Sequence, residues 1–333
     1  MLEITREVCY CKLSEQLHNC TMSNTEEREW ERQMKRTASI WIVIAGILWG
    51  IMGIFVRKLE TYGFTSLQIA SMRLIGGAVI FVIAAAVFDR EKLRIRIRDI
   101  GLFFGMGVCS ILLFTVCYFT TISMASLSVA AILLYTEPIM VMIMSLFLFH
   151  EKLTDRKCTA LVLAFTGCIL VTGIGGDMKV SALAVGTGLL SGFGYGLYSI
   201  FGTYALRKYP PLTATTYAFV CGGAGALFIC RPADIAAKVQ NSGEAGKVIL
   251  LMFLMAFVTA VLPYLFYTVG LASVRASSAA IMASVEPVVA TIAGVLVFHE
   301  TMTGQSLVGI LLVLSAIVIL NINPGLHRRK KKE

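Results

Sequence analysis

Two glutamates and one arginine are the side chains of this chain best placed to do chemistry. Glu137 and Glu286 each lie about halfway along an apolar stretch, and each is followed by a proline, Pro138 or Pro287; Arg73 lies about seven residues into another such stretch. An ionised group at the centre of a membrane-depth helix costs roughly 2.5–3.5 kcal/mol even on the lenient insertion scale, so it normally faces a cavity or a partner. Carboxyls held there suit two tasks, exchanging a proton during a cycle or binding an amine. The competing reading is structural: each Glu hydrogen-bonds hydroxyls and the backbone groups freed by its proline, which inside a helix removes a backbone bond and kinks it. Arg73 presents a planar fork that matches a carboxylate or a phosphate. Its alternatives are an ion pair with Glu137 or Glu286, or an outward-snorkelling head group.

Rings and hydroxyls within the same stretches come from Trp49, Tyr118, Tyr135, Tyr195, Tyr264 and Tyr267. Such residues line small-molecule pockets, and they also serve as packing or as belts at the membrane surface. Trp49, Tyr118, Tyr195, Tyr264 and Tyr267 join Arg73, Glu137 and Glu286 as the candidate substrate-binding set. Gly188, Gly192 and Gly196 recur every fourth residue. No strand precedes them and no Lys-Ser/Thr follows, so a phosphate loop is excluded; on one helix face they let two backbones approach closely. His150-Glu151 and His299-Glu300 resemble half of a zinc-protease motif without its second histidine. They read instead as caps of a short turn into the next helix, with Thr154 and Thr303 as N-caps.

Of nine cysteines, six (Cys109, Cys117, Cys158, Cys168, Cys221 and Cys230) lie in or beside apolar stretches as small hydrophobes. Cys9-x-Cys11 and His18-x-Cys20 supply four zinc-type ligands, but not at a common finger spacing, so neither a metal nor a cofactor is expected.

The elements that must position these groups follow from composition. Of 333 residues, 57% are hydrophobic and 15% charged, with a mean hydropathy of +0.79. Globular proteins run at about 45–50% and 25%, so disordered, collagenous, nucleic-acid-binding and ordinary water-soluble classes are excluded. A bilayer needs about 20 apolar residues per helix, and ten blocks qualify: 39–57, 66–88, 99–121, 125–149, 157–174, 182–205, 212–230, 248–272, 276–298 and 304–322. The net charge of +9 sits in the connectors and tails. With both termini on one side, twenty Lys and Arg fall on that side and six on the other; the basic side is cytoplasmic. A polar tail, 1–37, precedes the blocks and a basic tail, 323–333, follows. Residues 1–33 hold no apolar block and are expected to be dispensable, as an over-extended start or a disordered tail; no cleavable secretory signal is read.

Residues 118–154 align without gaps to 267–303 at an offset of 149, with twelve identities in 37 positions. These include Glu137-Pro138 with Glu286-Pro287 and Phe149-His150-Glu151 with Phe298-His299-Glu300. Five helices per half is an odd number, so the second half is inverted, the architecture of alternating-access carriers with a site near the midplane. The expected fold is therefore an all-α integral membrane protein of ten transmembrane helices in two inverted five-helix repeats, 38–174 and 182–322.

The Glu-Pro pairs, the apolar run into His-Glu-x-(Leu/Met)-Thr and the five-plus-five layout resemble the EamA-type branch of the drug/metabolite transporter superfamily. Glu300-Thr301-Met302 departs from the more usual Glu-Arg/Lys-Leu. The resemblance implies a multi-pass plasma-membrane carrier, not an enzyme, that moves a small polar metabolite such as an amino acid by alternating access, with export favoured. Its partners are a small-molecule substrate, the lipid bilayer and candidate coupling protons, without nucleic acid, in a monomer or homodimer. A lipid-linked sugar flippase or an integral-membrane enzyme are the alternatives.

Overall fold

The computed structural model describes residues 24–88, 93–125, 127–172 and 181–321, and these contain helices and connectors but no strand. The tail cysteines and His18 lie outside the described residues. Helices α1 (Asn24–Gly50) and α2 (Met52–Glu60) form the first span, and α3 (Ser66–Phe88) the second. The third is α4 (Ile100–Phe104), a π-helical stretch over Gly105–Leu112 and α5 (Leu113–Met124). The fourth is α6 (Leu127–Leu134) with α7 (Glu137–Phe149), and the fifth is α8 (Asp155–Thr172). In the second half come α9 (Ala182–Leu206), α10 (Pro211–Ile229), the short connector helix α11 (Pro232–Asn241), and α12 (Ala245–Ala256). A π-helical Phe257–Val261 leads from α12 into α13 (Leu262–Leu271). The last two spans are α14 (Ala276–Ala283) with α15 (Glu286–Phe298), and α16 (Gly304–Asn321).

Among the described residues, nine stretches are long and apolar enough to cross a bilayer. Helix α8 occupies the fifth position and opens on Asp155-Arg156-Lys157, so three charges in its first turn shorten its apolar length. With α8 the spans among the described residues number ten, in the order the apolar blocks predict. The first helix starts at Asn24, well before the apolar block. The outward faces of the spans are apolar, as at Phe228, which is 93% exposed; a surface of this kind is built for lipid rather than water.

The halves are related by inversion. Spans two and seven pack together, as do five and ten; span one packs on spans eight and nine as span six packs on three and four. Lys157 of α8 bonds both Glu151 and Ser277, which begins span nine. Glu300 follows the far end of that span and pairs with Arg57. The repeat counterparts Glu151 and Glu300 thus lie on opposite faces of the bundle. The Glu151 face also holds Lys208 and Tyr209 bonded to Asp99, with Arg207 over the ring of Phe149. The Glu300 face holds α11, whose Lys238 bonds the Gly63 carbonyl and Gln68. There Tyr62 donates to Glu244 at 2.7 Å. Hydrogen bonds from Lys247 first and Tyr62 second hold the Glu244 carboxyl below its ordinary range.

Candidate functional site

Both Glu-Pro pairs sit where a span is interrupted and a new helix begins. Tyr135-Thr136 separates α6 from α7, and the repeat-equivalent Ser284-Val285 separates α14 from α15. The prolines therefore occupy the first turn of a helix, where a missing N–H is an orphan in any case; the expected kinks at Pro138 and Pro287 are helix restarts. The breaks satisfy themselves locally: Thr136 donates its hydroxyl to the Leu133 carbonyl at 2.6 Å, and the Ile139 N–H reaches the Thr136 carbonyl. The glutamate carboxylates take no part in this.

Glycines bring neighbouring spans onto the breaks. A Cβ on Gly192 of α9 would lie 2.8 Å from Thr136 Oγ1 and 3.0 Å from the carbonyls of Leu133 and Leu134, with Gly188 against Leu133 and Gly196 against Val141. In the other half Gly46 and Gly50 of α1 abut Val285, the Ala283 carbonyl and the Glu286 carbonyl in the same way. The glycine repeat read in α9 is half of a duplicated device; its counterpart in α1 is too short to register as a repeat. His150 and His299 end α7 and α15 in the left-handed region, at φ 51° and 55°. Thr154 and Thr303 accept the N–H groups of Lys157 and Ser306 at the starts of α8 and α16.

Between the halves lies a cavity of about 70 Å³, room for several waters. Arg73, Glu286, Trp49, Tyr118, Tyr195 and Tyr264 line it, together with Tyr135, Phe114, Thr115 and Met52. Arg73 is only 6% exposed, and its guanidinium points one N–H at the thioether of Met52. It makes no ion pair with a described residue, and it lines the cavity. Glu286 accepts from the Tyr195 hydroxyl at 3.2 Å. Trp49 packs edge-on against Tyr264 at 5.1 Å and Tyr195 at 6.0 Å.

Glu137 and Tyr267 fall elsewhere. They line a second chamber of about 10 Å³ with Tyr198, Ser199 and Ala283, behind the shared rings of Trp49, Tyr195 and Tyr264. There Ser199 and Tyr267 share a 2.7 Å hydrogen bond and Tyr198 and Thr268 one of 2.8 Å. Tyr198, Ser199 and Phe114 carry no signal in a single sequence that separates them from other apolar-segment residues. Among the described residues no three His, Cys, Asp or Glu side chains converge as a metal site requires.

An all-helical bundle of two inverted halves around a largely apolar cavity that holds an arginine and a glutamate fits a multi-pass membrane protein of the transporter class. The chain belongs to the EamA-like transporter family, which it matches twice, over residues 36–173 and 182–322. Two proteins of Archaeoglobus fulgidus, each named an uncharacterized transporter, are similar to it. One is 25% identical over 84% of this chain and 98% of its own length, the other 26% identical over 87% and 98%. The uncharacterized transporter YwfM of Bacillus subtilis is 23% identical over 88% of this chain and 95% of its own. A solved crystal structure superposes with a TM-score of 0.71 at 14% identity, covering 88% of this chain and 98% of that one, a likeness of fold alone.

Proposed function

We propose that the protein is a secondary carrier that exports a small polar metabolite, an amino acid or related zwitterion, across the plasma membrane by alternating access. The observation that carries this reading is Arg73, a buried guanidinium that makes no ion pair with a described residue and lines the same cavity as Glu286. A buried charge left unpaired is costly, and a charged ligand relieves that cost. The fork of Arg73 suits a carboxylate, Glu286 suits an ammonium, and the surrounding rings suit the rest of a small molecule. The position of the cavity between inverted halves, beside both helix breaks, fits a site exposed to each side in turn. Both termini then lie in the cytoplasm.

The test is exchange of a radiolabelled amino-acid mixture in proteoliposomes. Arg73→Ala should abolish exchange while the melting temperature stays near that of the unmodified protein, and Arg73→Lys should retain only part of it, because an ammonium lacks the fork. Normal exchange by Arg73→Ala, or no amino acid exchanged by the unmodified protein, overturns the reading.

A further inference from the structure

We infer that Glu137 is the proton-binding site of the transport cycle, housed in its own chamber and divided from the Arg73–Glu286 cavity by the rings of Trp49, Tyr195 and Tyr264. The inference rests on the carrier reading above and assigns different work to two residues that the repeat makes equivalent.

The surroundings of the two glutamates differ. Glu286 is half-buried, accepts a hydrogen bond from Tyr195 and shares its cavity with a cation. Glu137 is 7% exposed, receives no hydrogen bond from any described residue, and lines a chamber that contains no cation. A carboxylate buried without partners is the costliest state such a side chain can hold, and one proton removes the charge. The titratable groups that face it are Tyr195 and Tyr198 on α9, Tyr264 and Tyr267 on α13, Glu286 on α15 and Cys168 on α8. Phenols and thiols ordinarily titrate above pH about 8, so at lower pH the charge state of the region is set by the two carboxyls.

Size excludes a metabolite. A volume of about 10 Å³ admits one water and no metabolite. The Ser199–Tyr267 pair holds two hydroxyl protons and spends one on its mutual bond, which leaves one for a water beside Glu137. In spans six and eight, Ser199 and Tyr267 lie about one turn nearer the Glu151 face than Tyr195 and Tyr264 do. The chamber is thus displaced toward the Glu151 face and the Arg73 cavity toward the Glu300 face. The step is a simple one: a proton from bulk solvent, relayed through the chamber water, adds to the Glu137 carboxylate to give a neutral acid and leaves the water neutral, and the same path later carries it away.

Two measurements on the full-length protein in liposomes test this. Infrared difference spectra across a pH step, with no substrate present, should contain a protonated-carboxyl band that Glu137→Gln removes and Glu137→Asp moves. With the labelled amino-acid mixture, Glu137→Gln should lose accumulation driven by a pH gradient, falling to the level of empty liposomes, while exchange at equal pH continues. Glu286→Gln should lose exchange itself. Persistence of the band or of gradient-driven accumulation in Glu137→Gln overturns the assignment. If Glu137→Gln does not fold, Glu137→Asp decides, since an unmoved band excludes residue 137. If the unmodified protein exchanges no amino acid, the carrier reading fails separately, and the infrared band still decides whether Glu137 holds the proton.

Discussion

Neutralising Glu151 and Glu300 one at a time should cost very different amounts, although the two are repeat counterparts. Glu151 lies 2.6 Å from Lys157 Nζ, with the side chains 10% and 8% exposed. The same ammonium donates to Ser277 at 2.7 Å, and the Ser277 hydroxyl bonds Glu151 in turn. The result is a closed triangle that ties the end of span four and the start of span five to the start of span nine. Removing one partner of a buried pair leaves the other charge uncompensated, at about 3–5 kcal/mol. Glu300 pairs with Arg57 at 2.7 Å, but the two side chains are 48% and 46% exposed. Solvent screening limits such a pair to about 0–1 kcal/mol, and Arg57 keeps its place over Phe298 at 4.3 Å without it. Glu151→Gln should therefore destabilise by about 3–5 kcal/mol and Glu300→Gln by no more than about 1. Glu151→Leu combined with Lys157→Met should recover most of the loss, since an apolar pair pays no desolvation. Denaturant titration in detergent, followed by tryptophan fluorescence, gives all three values. Salt at about 1 M should weaken the Arg57–Glu300 contribution and leave the buried one nearly unchanged. Equal losses from the two single variants, or no recovery in the double variant, would refute this account.

Gly192→Val should destabilise by about 1–3 kcal/mol by overpacking, since even a Cβ meets Thr136 and two carbonyls within 3.0 Å; thermal unfolding checks it, with exposed Gly186→Val near neutral as the control. Cysteines placed at Gly243 and Lys152 should label from opposite sides of sealed vesicles, Gly243 from outside in right-side-out ones; labelling of both from one side contradicts the topology. The lowered Glu244 carboxyl makes its contribution complete above the ordinary carboxylate value, and that contribution is lost as pH falls through the lowered one. Proteolysis around α11 should thus rise below pH about 4, and Glu244→Gln should show the higher rate already at neutral pH.

The spans were legible because bilayer thickness imposes a length and a polarity that few residues evade. The inversion was legible because one Glu-Pro-to-Phe-His-Glu pattern recurs across an odd number of helices. What failed to show is what depends on contact between distant segments. Pro138 and Pro287 read as kinks because proline removes the same N–H whether it bends a helix or begins one, and only the Tyr135-Thr136 and Ser284-Val285 turns decide. The π-helical stretches in spans three and eight leave no mark in composition. Lys157, at the start of the fifth apolar block, lies buried between Glu151 and Ser277, a contact that its own segment does not announce. The cavity rings were found as a class, since aromatic residues within spans are few. Their division into two compartments was not, because Glu137 and Glu286 differ in surroundings rather than in neighbouring sequence.

Spans five and ten touch backbone to backbone. A Cβ on Gly167 would lie 2.7 Å from the Gly309 carbonyl, and a Cβ on Gly309 2.7 Å from that of Gly167. Ala160, Ala164 and Ala316 are fully buried on these same two helices. The joint is also packed tightly by Val313 against Gly167 and by Val171 against Gly309, so a shift of one turn would drive the bulk of either valine into space sized for hydrogen. The two helices therefore form one closely packed pair that joins the halves. On the alternating-access reading proposed above, rocking falls to the helices with interrupted axes, with this pair as their frame.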